Sequence, residues 1–327
     1  MRRFPVVLYM LVFVSALVVT GCGRQTGRPP SARQTPTVRL GYMPFASDLA
    51  VFVAVEKGYF RDEGVNVELI QFKSATENLN GLLAGRTDMT GMVGFPTILS
   101  AFEKDPTQFR VFLGTAETQD HWASAILVPP DSRIRSVADL KGKVVGTYTG
   151  TTQLLNLKSI LGRFMDPEKD VTIRQVSEDL QLPSLQSKQF DALFTIEPRV
   201  TTAVDKGIGR ILEANPRAKY ILKPFPVTAN CVSAKFLAEH RSEAEAVYRA
   251  LAHAARDIRQ DETAAKKFLP KYTPLEASLA EKCHLYYWWL PDDVDHVAIQ
   301  KLADLFHSQG LLKTKVETSR MFVDFRG

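Results

Sequence analysis

The side chain with the clearest chemical potential is the carboxylate of Glu197, which directly follows an apolar, strand-like run at residues 192–196. A carboxylate at the end of a buried strand loses water and needs a partner, because an unpaired buried charge costs several kcal/mol. An ammonium or ring N–H group of a bound molecule would supply that partner. Two alternatives remain open: Glu197 could stabilise a helix that begins at Pro198, or it could pair with Arg199.

Two short segments have the composition of helix N-termini that bind anions. The first comprises Gly94, Phe95, Pro96 and Thr97, and the second comprises Thr149, Gly150, Thr151 and Thr152. The first turn of a helix leaves backbone N–H groups without partners, and these groups favour a sulfonate, carboxylate or nitrate. An ordinary turn in the first segment and an ordinary threonine N-cap in the second are equally consistent with the sequence.

Further candidate contacts with a bound molecule lie in loops that follow other strand-like runs, because ligands of open α/β sheets bind beyond the carboxyl ends of the strands. These residues are Tyr42, Met43, Pro44, Phe45, Trp122 and Ser124. A flat heterocycle could stack on Phe45, Phe95, Trp122 and Tyr148, although core packing accounts for most aromatic side chains.

Motifs for nucleotide-dependent, serine hydrolase or zinc peptidase chemistry are absent from the sequence. It contains no Gly-x-x-x-x-Gly-Lys run, no Gly-x-Ser-x-Gly elbow and no His-Glu-x-x-His helix. The six histidines are scattered without the spacing of metal ligands. We therefore expect a binding protein with no catalytic residue, no metal and no cofactor.

The elements that must position these residues alternate between strand-like and helical patterns. Strand-like runs occur at residues 38–41, 65–72, 89–93, 110–114, 124–128, 143–147, 171–176 and 192–196. Helical spacing between them predicts sheets that are largely parallel. The order of helix, turn with Asp, strand and proline occurs twice, at residues 83–96 and 186–198, which indicates two similar lobes.

Two extended stretches that contain prolines, at residues 127–130 and 223–226, are expected to connect the lobes, because proline disfavours helix interiors and central strands. The first lobe would then comprise residues 38–128 and 226–327, and the second lobe residues 129–225. The helical pattern after residue 226 includes a predicted capping box at Ser242 and Glu245 and should pack on the first lobe.

The amino-terminal residues have the pattern of an export signal. Arg2 and Arg3 precede an uncharged apolar stretch, and small residues stand directly before Cys22. We expect residues 1–21 to be a signal peptide and the polar residues 22–37 to form a flexible tether. The segment that ends at Cys22 resembles the lipobox of bacterial lipoprotein precursors, which implies that Cys22 carries a lipid. The alternative, an uncleaved transmembrane helix, is short for a bilayer span.

Charge and cysteine content restrict the possible partners. The formal net charge is +5, and removal of Arg2 and Arg3 with the signal peptide would lower it to +3. So small an excess does not indicate nucleic-acid binding. With Cys22 acylated, Cys231 and Cys283 remain, and the sequence is compatible either with a disulfide between them or with two free thiols.

A series of segments resembles a known family. It begins with Gly41, Tyr42, Met43 and Pro44, and continues with residues 54–60 (AVEKGYF), 63–68 (EGVNVE), 83–88 (LAGRTD), 137–143 (VADLKGK) and 196–198 (IEP). In this order, over most of the chain, the sequence resembles the solute-binding proteins of ABC transporters for nitrate, sulfonates, taurine and thiamine pyrimidine precursors.

The resemblance implies a type II periplasmic-binding-protein fold, in which two mixed, mostly parallel sheets flanked by helices enclose a ligand cleft. It also implies delivery of a small solute to a membrane permease with a cytoplasmic ATPase. Together with the amino-terminal pattern, we expect a monomer that is lipid-anchored outside the cytoplasm. Two alternatives remain: a lipoprotein that reports its ligand to a signalling system, and a pyrimidine synthase on the same fold, whose cysteine-rich cluster this chain lacks. The resemblance does not choose between a sulfonate, nitrate and a pyrimidine-type heterocycle.

Overall fold

The computed structural model describes residues 37–325, which contain eleven β-strands and thirteen α-helices. The strands are β1 (Thr37–Tyr42), β2 (Asn66–Gln71), β3 (Met89–Gly94), β4 (Phe109–Glu117), β5 (Ser124–Val128), β6 (Val144–Tyr148), β7 (Thr172–Val176), β8 (Ala192–Ile196), β9 (Arg210–Ala214), β10 (Phe225–Ser233) and β11 (Tyr287–Trp288). Each of the eight predicted strand-like runs coincides with one of the strands β1 to β8, so this part of the sequence interpretation is confirmed.

The helices connect and flank these strands. They are α1 (Leu49–Glu56), α2 (Tyr59–Asp62), α3 (Ala75–Leu83), α4 (Phe95–Lys104), α5 (Thr151–Leu161), α6 (Gln181–Gln186), α7 (Arg199–Asp205), α8 (Pro216–Tyr220), α9 (Ala234–Glu239), α10 (Arg241–Gln260), α11 (Glu262–Lys266), α12 (Leu269–Tyr272) and α13 (His296–Ser308). The repeated unit predicted from the sequence is confirmed, because α3, β3 and α4 in the first lobe correspond to α6, β8 and α7 in the second.

The strands form two sheets, one in each lobe. The six-stranded sheet has the order β11-β4-β10-β3-β1-β2, and the five-stranded sheet has the order β7-β6-β8-β5-β9. Strands β1, β2 and β3 are mutually parallel, as are β6, β7 and β8, and the remaining pairings in both sheets are antiparallel. The mixed α/β class is confirmed, but the expected predominance of parallel pairing is not observed. Four of the five antiparallel pairs involve β5 or β10, which carry the chain from one lobe into the other, and the fifth joins β11 to β4.

The first boundary between the lobes differs from the predicted one. Strand β5 pairs with β8 and β9 in the second sheet, whereas the sequence analysis assigned residues 38–128 to the first lobe. The chain therefore crosses between lobes at residues 118–123 and returns at residues 215–224. The two prolines at 129 and 130 follow β5 and do not mark the crossing, because proline ends a strand as readily as it connects two domains.

Pro226 lies inside β10, a central strand between β3 and β4, although the sequence analysis excluded a central strand there. The pairing of β10 with β4 shifts its register between Pro226 and Thr228. A bulge of this kind accommodates a residue that has no N–H group to donate to the neighbouring strand.

The carboxy-terminal helices pack on the first lobe, as predicted. Helix α10 lies against α1 and α2, and its residues Val247, Leu251, Ala254 and Ile258 are buried. The predicted capping box is wrong, because α10 begins one residue before Ser242 and no side chain caps it. A serine within the first helical turn lacks the extended backbone that an N-cap residue needs.

The buried apolar side chains form one large cluster that includes residues of both lobes. Phe45 and Phe95 from the first lobe belong to the same cluster as Tyr148 and Leu157 from the second. Two smaller clusters lie around α1 and α10 in the first lobe, and under α6 and α7 in the second. The lobes are thus in direct contact, which is the closed arrangement of a two-lobed protein.

Cys231 and Cys283 are both buried and both free, so the open question of a disulfide between them is answered. Cys22, the signal peptide at residues 1–21 and nearly all of the tether at residues 22–37 lie outside the described residues. Within residues 37–325, no helix has the length and apolar character that a membrane crossing requires.

Candidate functional site

The predicted helix N-termini of the two lobes meet each other. The hydroxyl oxygens of Thr97 and Thr152 are 2.8 Å apart and buried, and the backbone N–H of Thr151 donates to Thr76 Oγ1 at 3.2 Å. A Cβ atom built on Gly94 would lie 2.3 Å from Thr152 Oγ1. The structure therefore brings together Gly94, Thr97, Thr151 and Thr152, and we call the contact region between the lobes around them the cleft.

Both helices that begin at the cleft present uncompensated N-termini. Helix α4 begins at Phe95 with Pro96 in its first turn, and α5 begins at Thr151 after Gly150, which has a φ of +124°. Neither N-terminus is capped by the side chain of its N-cap residue or has an acidic residue in its first turn, although the Thr151 N–H donates to Thr76 Oγ1. Two helix dipoles thus end in the same region, and the N–H groups of their first turns favour an anion there.

Helix α5 lines the cleft with polar side chains. Thr152 contacts Thr97, and Ser159 Oγ donates to Gln309 of the first lobe at 2.8 Å, so residues seven apart on α5 face that lobe. Asn156 lies between them on the same face and is fully buried. Thr149, which precedes this helix, is exposed and takes no part in the contact.

Several buried polar atoms at the cleft have no partner in the protein. They are both amide atoms of Asn156 and Gln153 Oε1. Gln153 does donate through Nε2 to Tyr148 Oη at 2.6 Å. An unsatisfied buried polar group costs about 1–3 kcal/mol, so a cluster of them indicates groups that a polar ligand would engage. Gln153 and Asn156 were not predicted from the sequence, because only their spacing on the folded helix and their burial identify them.

Aromatic rings complete the cleft. Phe45 and Tyr148 face each other across it with ring centroids 5.5 Å apart, and Phe95 packs edge-on against Trp289 at 6.3 Å. Burial raises the pKa of Tyr148 well above its usual range, so this phenol stays protonated and can donate a hydrogen bond. The predicted residues Phe45 and Phe95 are therefore placed at the cleft.

The remaining predicted residues of the first loop have other surroundings. Met43 is buried and its N–H points to Asp48 Oδ2 at 3.4 Å, Pro44 is half-buried, and the hydroxyl of Tyr42 donates to Gln71 Oε1 at 3.0 Å. Tyr42 packs edge-on against Phe52, away from the threonine contact.

Asp48 is a buried acid that the sequence analysis missed. It is fully buried and accepts a hydrogen bond from Met92 N at 2.9 Å, and a Cβ atom on Gly91 would lie 2.0 Å from Asp48 Oδ1. Burial raises the pKa of Asp48 to about 8, although the backbone donors from Met92 and Met43 oppose the rise. Its position directly before the apolar run of α1 was the available sequence signal.

The two crossings between the lobes are joined by a buried ion pair. Arg217, in the second crossing, donates through Nε and Nη2 to the two carboxylate oxygens of Glu117 at 2.9 and 2.8 Å. Glu117, at the start of the first crossing, also accepts from Ala123 N and from Ser124 Oγ. Burial opposes the charge on Arg217, but the Glu117 carboxylate outweighs it, so the pKa of Arg217 is raised. Ser124 was a predicted ligand contact, and its hydroxyl instead binds this hinge carboxylate.

Glu197 is fully buried, but its carboxylate oxygens are occupied by protein donors. Thr201 donates through its N–H at 3.0 Å and its hydroxyl at 2.8 Å, and His284 of the first lobe donates through its N–H at 3.1 Å. Stabilisation of α7, the first alternative given above, therefore matches the geometry better than a direct ligand contact. Arg199, the second alternative, pairs with Glu178 at 2.6 Å. Trp122, a predicted ligand contact, stacks on the ring of His284 with the ring centroids 3.9 Å apart.

Within the described part of the chain, no group of three or more His, Cys, Asp or Glu residues is arranged to hold a metal ion. The chemistry available at the cleft is therefore that of hydroxyls, amides, phenols and helix N-termini. Such groups bind and orient a small polar molecule.

Comparisons with known proteins identify a family and related binding proteins. A model of the NMT1-like family matches residues 31–268. A protein of Bacillus subtilis (strain 168) named for binding aliphatic sulfonates is 28% identical over 248 residues, which are 74% of this chain and 70% of that protein. A formylaminopyrimidine-binding protein of Halalkalibacterium halodurans is 25% identical over 150 residues, which are 46% of this chain and 43% of that protein.

Solved structures of binding proteins share the fold. The alkanesulfonate-binding protein SsuA from Xanthomonas axonopodis pv. citri, bound to MOPS, has a TM-score of 0.72 at 21% identity, covering 88% of this chain and 98% of that chain. The nitrate-binding protein NrtA from Synechocystis PCC 6803 has a TM-score of 0.61 at 16% identity, covering 75% of this chain and 69% of that chain. These similarities confirm the expected two-lobed fold.

Proposed function

Because the chain belongs to the NMT1-like family, we propose that it captures a small organic anion between its lobes and delivers it to an ABC importer. The observation that carries this proposal is the convergence of two uncapped helix N-termini, α4 and α5, on one contact between the lobes. The relative named for binding aliphatic sulfonates supports a sulfonate as the ligand class.

The charges around the cleft favour an anion over a cation. Three buried or largely buried carboxylates lie near it, and each is engaged: Glu117 by Arg217, Glu178 by Arg199, and Glu197 by Thr201 and His284. An ammonium ligand would have to displace one of these partners. A sulfonate would instead accept hydrogen bonds from helix N–H groups and from whichever of the Thr97 and Thr152 hydroxyls does not donate in their mutual hydrogen bond.

Closure of the lobes is the proposed mechanism of capture. In an open form the cleft is accessible to solute, and rotation about residues 118–123 and 215–224 would bring α5 onto α3 and α4. A ligand that interacts with both helix N-termini binds the closed form better than the open form, and this differential affinity drives closure. A permease would then recognise the closed surface and trigger release.

We further propose the cellular setting predicted from the sequence, namely a monomer held outside the cytoplasm by a lipid on Cys22 and working with a permease and a cytoplasmic ATPase. Support comes from the small residues before Cys22 and from the structural similarity to periplasmic binding proteins of Escherichia coli and Synechocystis PCC 6803. Incorporation of labelled palmitate into the wild-type chain, and its loss in Cys22→Ser, would test the anchor.

Isothermal titration calorimetry with taurine, ethanesulfonate, nitrate and a formylaminopyrimidine tests the ligand class. We expect one of the two sulfonates to bind, and the double variant Thr97→Val and Thr152→Val to lose at least tenfold in affinity, since about 1.5–3 kcal/mol is typical for hydrogen bonds to a charged group. Thr172→Val, an exposed threonine on β7, is the matched control and should bind as the wild type does. Binding of the formylaminopyrimidine alone would refute the anion assignment.

A further inference from the structure

A second contact between the lobes lies at helix α7, apart from the contact between α4 and α5. The carboxylate of Glu197 accepts two hydrogen bonds from Thr201, within its own lobe. It accepts a third from the backbone N–H of His284, which belongs to the first lobe. Glu197 is thus the buried side chain through which α7 binds the segment at residues 276–284.

Exposed groups continue this contact around Glu197. Lys282 pairs with Asp205 at 2.6 Å, Lys206 pairs with Glu276 at 2.6 Å, and Thr201 Oγ1 lies 3.3 Å from the carbonyl oxygen of Lys282. Each ion pair joins a residue at the carboxy-terminal end of α7, Asp205 or the following Lys206, to one residue of the first lobe. Because these pairs are solvent-exposed, each contributes little, and the buried Glu197 hydrogen bond dominates the contact.

We propose that Glu197 is a positioning residue that latches the lobes in the closed form, and that closure takes up a proton at its carboxyl group. The inference rests on the hinge closure proposed above. When the lobes separate, His284 N–H leaves and water reaches the carboxylate, so the ionised form is stabilised in the open state. In the closed state the same group is dry and has no cation as a partner.

The charged and titratable groups that face Glu197 support this assignment. On α7 and at its carboxy-terminal end these are Arg199, which pairs with Glu178, and Asp205 and Lys206, both engaged in the exposed pairs. From the first lobe the facing groups are Cys283, His284 and Lys266.

None of these neighbouring groups accounts for a change of charge near pH 7 in place of Glu197. Burial raises the pKa of Glu197 to about 7, although donors from Thr201 and His284 hold it down. Burial also raises the pKa of the Cys283 thiol, and it lowers the pKa of the His284 ring. Both side chains are therefore predominantly neutral near pH 7, and Glu197 is the group in this contact that changes charge there.

The direction of the pH dependence follows from the two states. The closed form holds a carboxyl group whose pKa is about 7, and the open form exposes it to water, where its pKa is near the usual value of about 4.3. Between these values the closed form binds more protons, so closure weakens as the pH rises. From about pH 5.5 to about pH 8.5, the ratio of closed to open molecules should fall about 30-fold.

Small-angle X-ray scattering of the full chain at both pH values measures closure without any solute, and carboxyl ¹³C NMR follows Glu197 itself. We expect Glu197 to titrate near neutral pH and the radius of gyration to increase at the higher pH. Glu197→Gln, which stays neutral, should give the same scattering at both pH values. Lys282→Gln, which breaks one exposed pair of the same contact, should retain the pH dependence of the wild type. If Glu197→Gln does not fold, Thr201→Val removes one donor and should raise the pH at which Glu197 titrates.

Scattering from the wild type that does not change with pH would overturn the latch, even if Glu197 titrates near neutral pH. An ordinary acidic titration of Glu197 would overturn it as well. Neither measurement uses a solute, so failure of the ligand screen would reject the proposed ligand class without affecting this result.

Discussion

Replacement of Gly94 by alanine should separate closure from folding. Gly94 ends β3 and precedes α4 with φ −63° and ψ 135°, a conformation that alanine adopts without strain. A Cβ atom there would lie 2.3 Å from Oγ1, 2.5 Å from Cγ2 and 2.9 Å from Cβ of Thr152. All three atoms belong to one side chain of the opposite lobe, so the clash exists only when the lobes are closed.

The size of the effect follows from the cost of overpacking. An extra methyl group forced into a packed contact costs about 1–3 kcal/mol. Because the clash is absent from the open form, its whole free-energy cost shifts the equilibrium away from the closed form and weakens solute binding roughly 5- to 150-fold. The free energy of unfolding of the open form should stay unchanged.

Titration calorimetry of wild type and Gly94→Ala with the solute found in the screen measures the loss, and scattering measures closure without solute. Thr152→Ala removes two of the three clashing atoms, so Gly94→Ala should lower the affinity less in a Thr152→Ala background than in the wild type. Wild-type affinity for Gly94→Ala, with closure intact by scattering, would refute the conclusion that solute binding requires the contact between Gly94 and Thr152.

Three further expectations concern buried groups. Because burial raises the pKa of Asp48 to about 8, its contribution to stability is present below about pH 4 and is lost as the pH rises through 8. In urea unfolding, the free energy of unfolding of Asp48→Asn should therefore rise by a few kcal/mol relative to that of the wild type between pH 5 and pH 9. A difference that does not vary with pH would contradict this. Arg217→Met leaves the Glu117 carboxylate buried without its cation, so the free energy of unfolding should fall by about 3–5 kcal/mol. The double variant with Glu117→Gln should recover part of this loss. Equal losses in the single and double variants would show that packing, and not charge, determines the effect. Cys231, whose pKa burial raises to about 12, and Cys283 should react with a thiol reagent only after unfolding, and rapid labelling of either in the native chain would contradict their burial.

Much of the site could be predicted from the sequence because its signals are local. Gly94, Thr97, Thr151 and Thr152 were identified from residue types at strand ends and helix starts, and the structure places them in one contact. The periodicity of apolar residues likewise identified strands β1 to β8. Backbone hydrogen bonding and side-chain alternation act over a few residues, so a short window of sequence carries this information.

Other features depend on partners distant in the chain. Arg217 and Glu117 are one hundred positions apart, and Glu197 meets His284 across eighty-seven. For Glu197 the sequence indicated a buried acid in need of a partner but not which partner, and the folded chain supplied its own donors. The assignment of β5 to the second sheet is of the same kind, since strand-forming residues specify a strand but not its neighbour.

The sequence by itself determined the class of the fold, the doubling of its α/β unit and the two helix N-termini that meet at the cleft. Only the tertiary structure decided which polar groups remain available to a solute and which satisfy one another. The physical reason is that propensity and periodicity are properties of neighbouring residues, whereas burial, pairing of charges and the pKa values that follow from them arise when distant segments exclude water together.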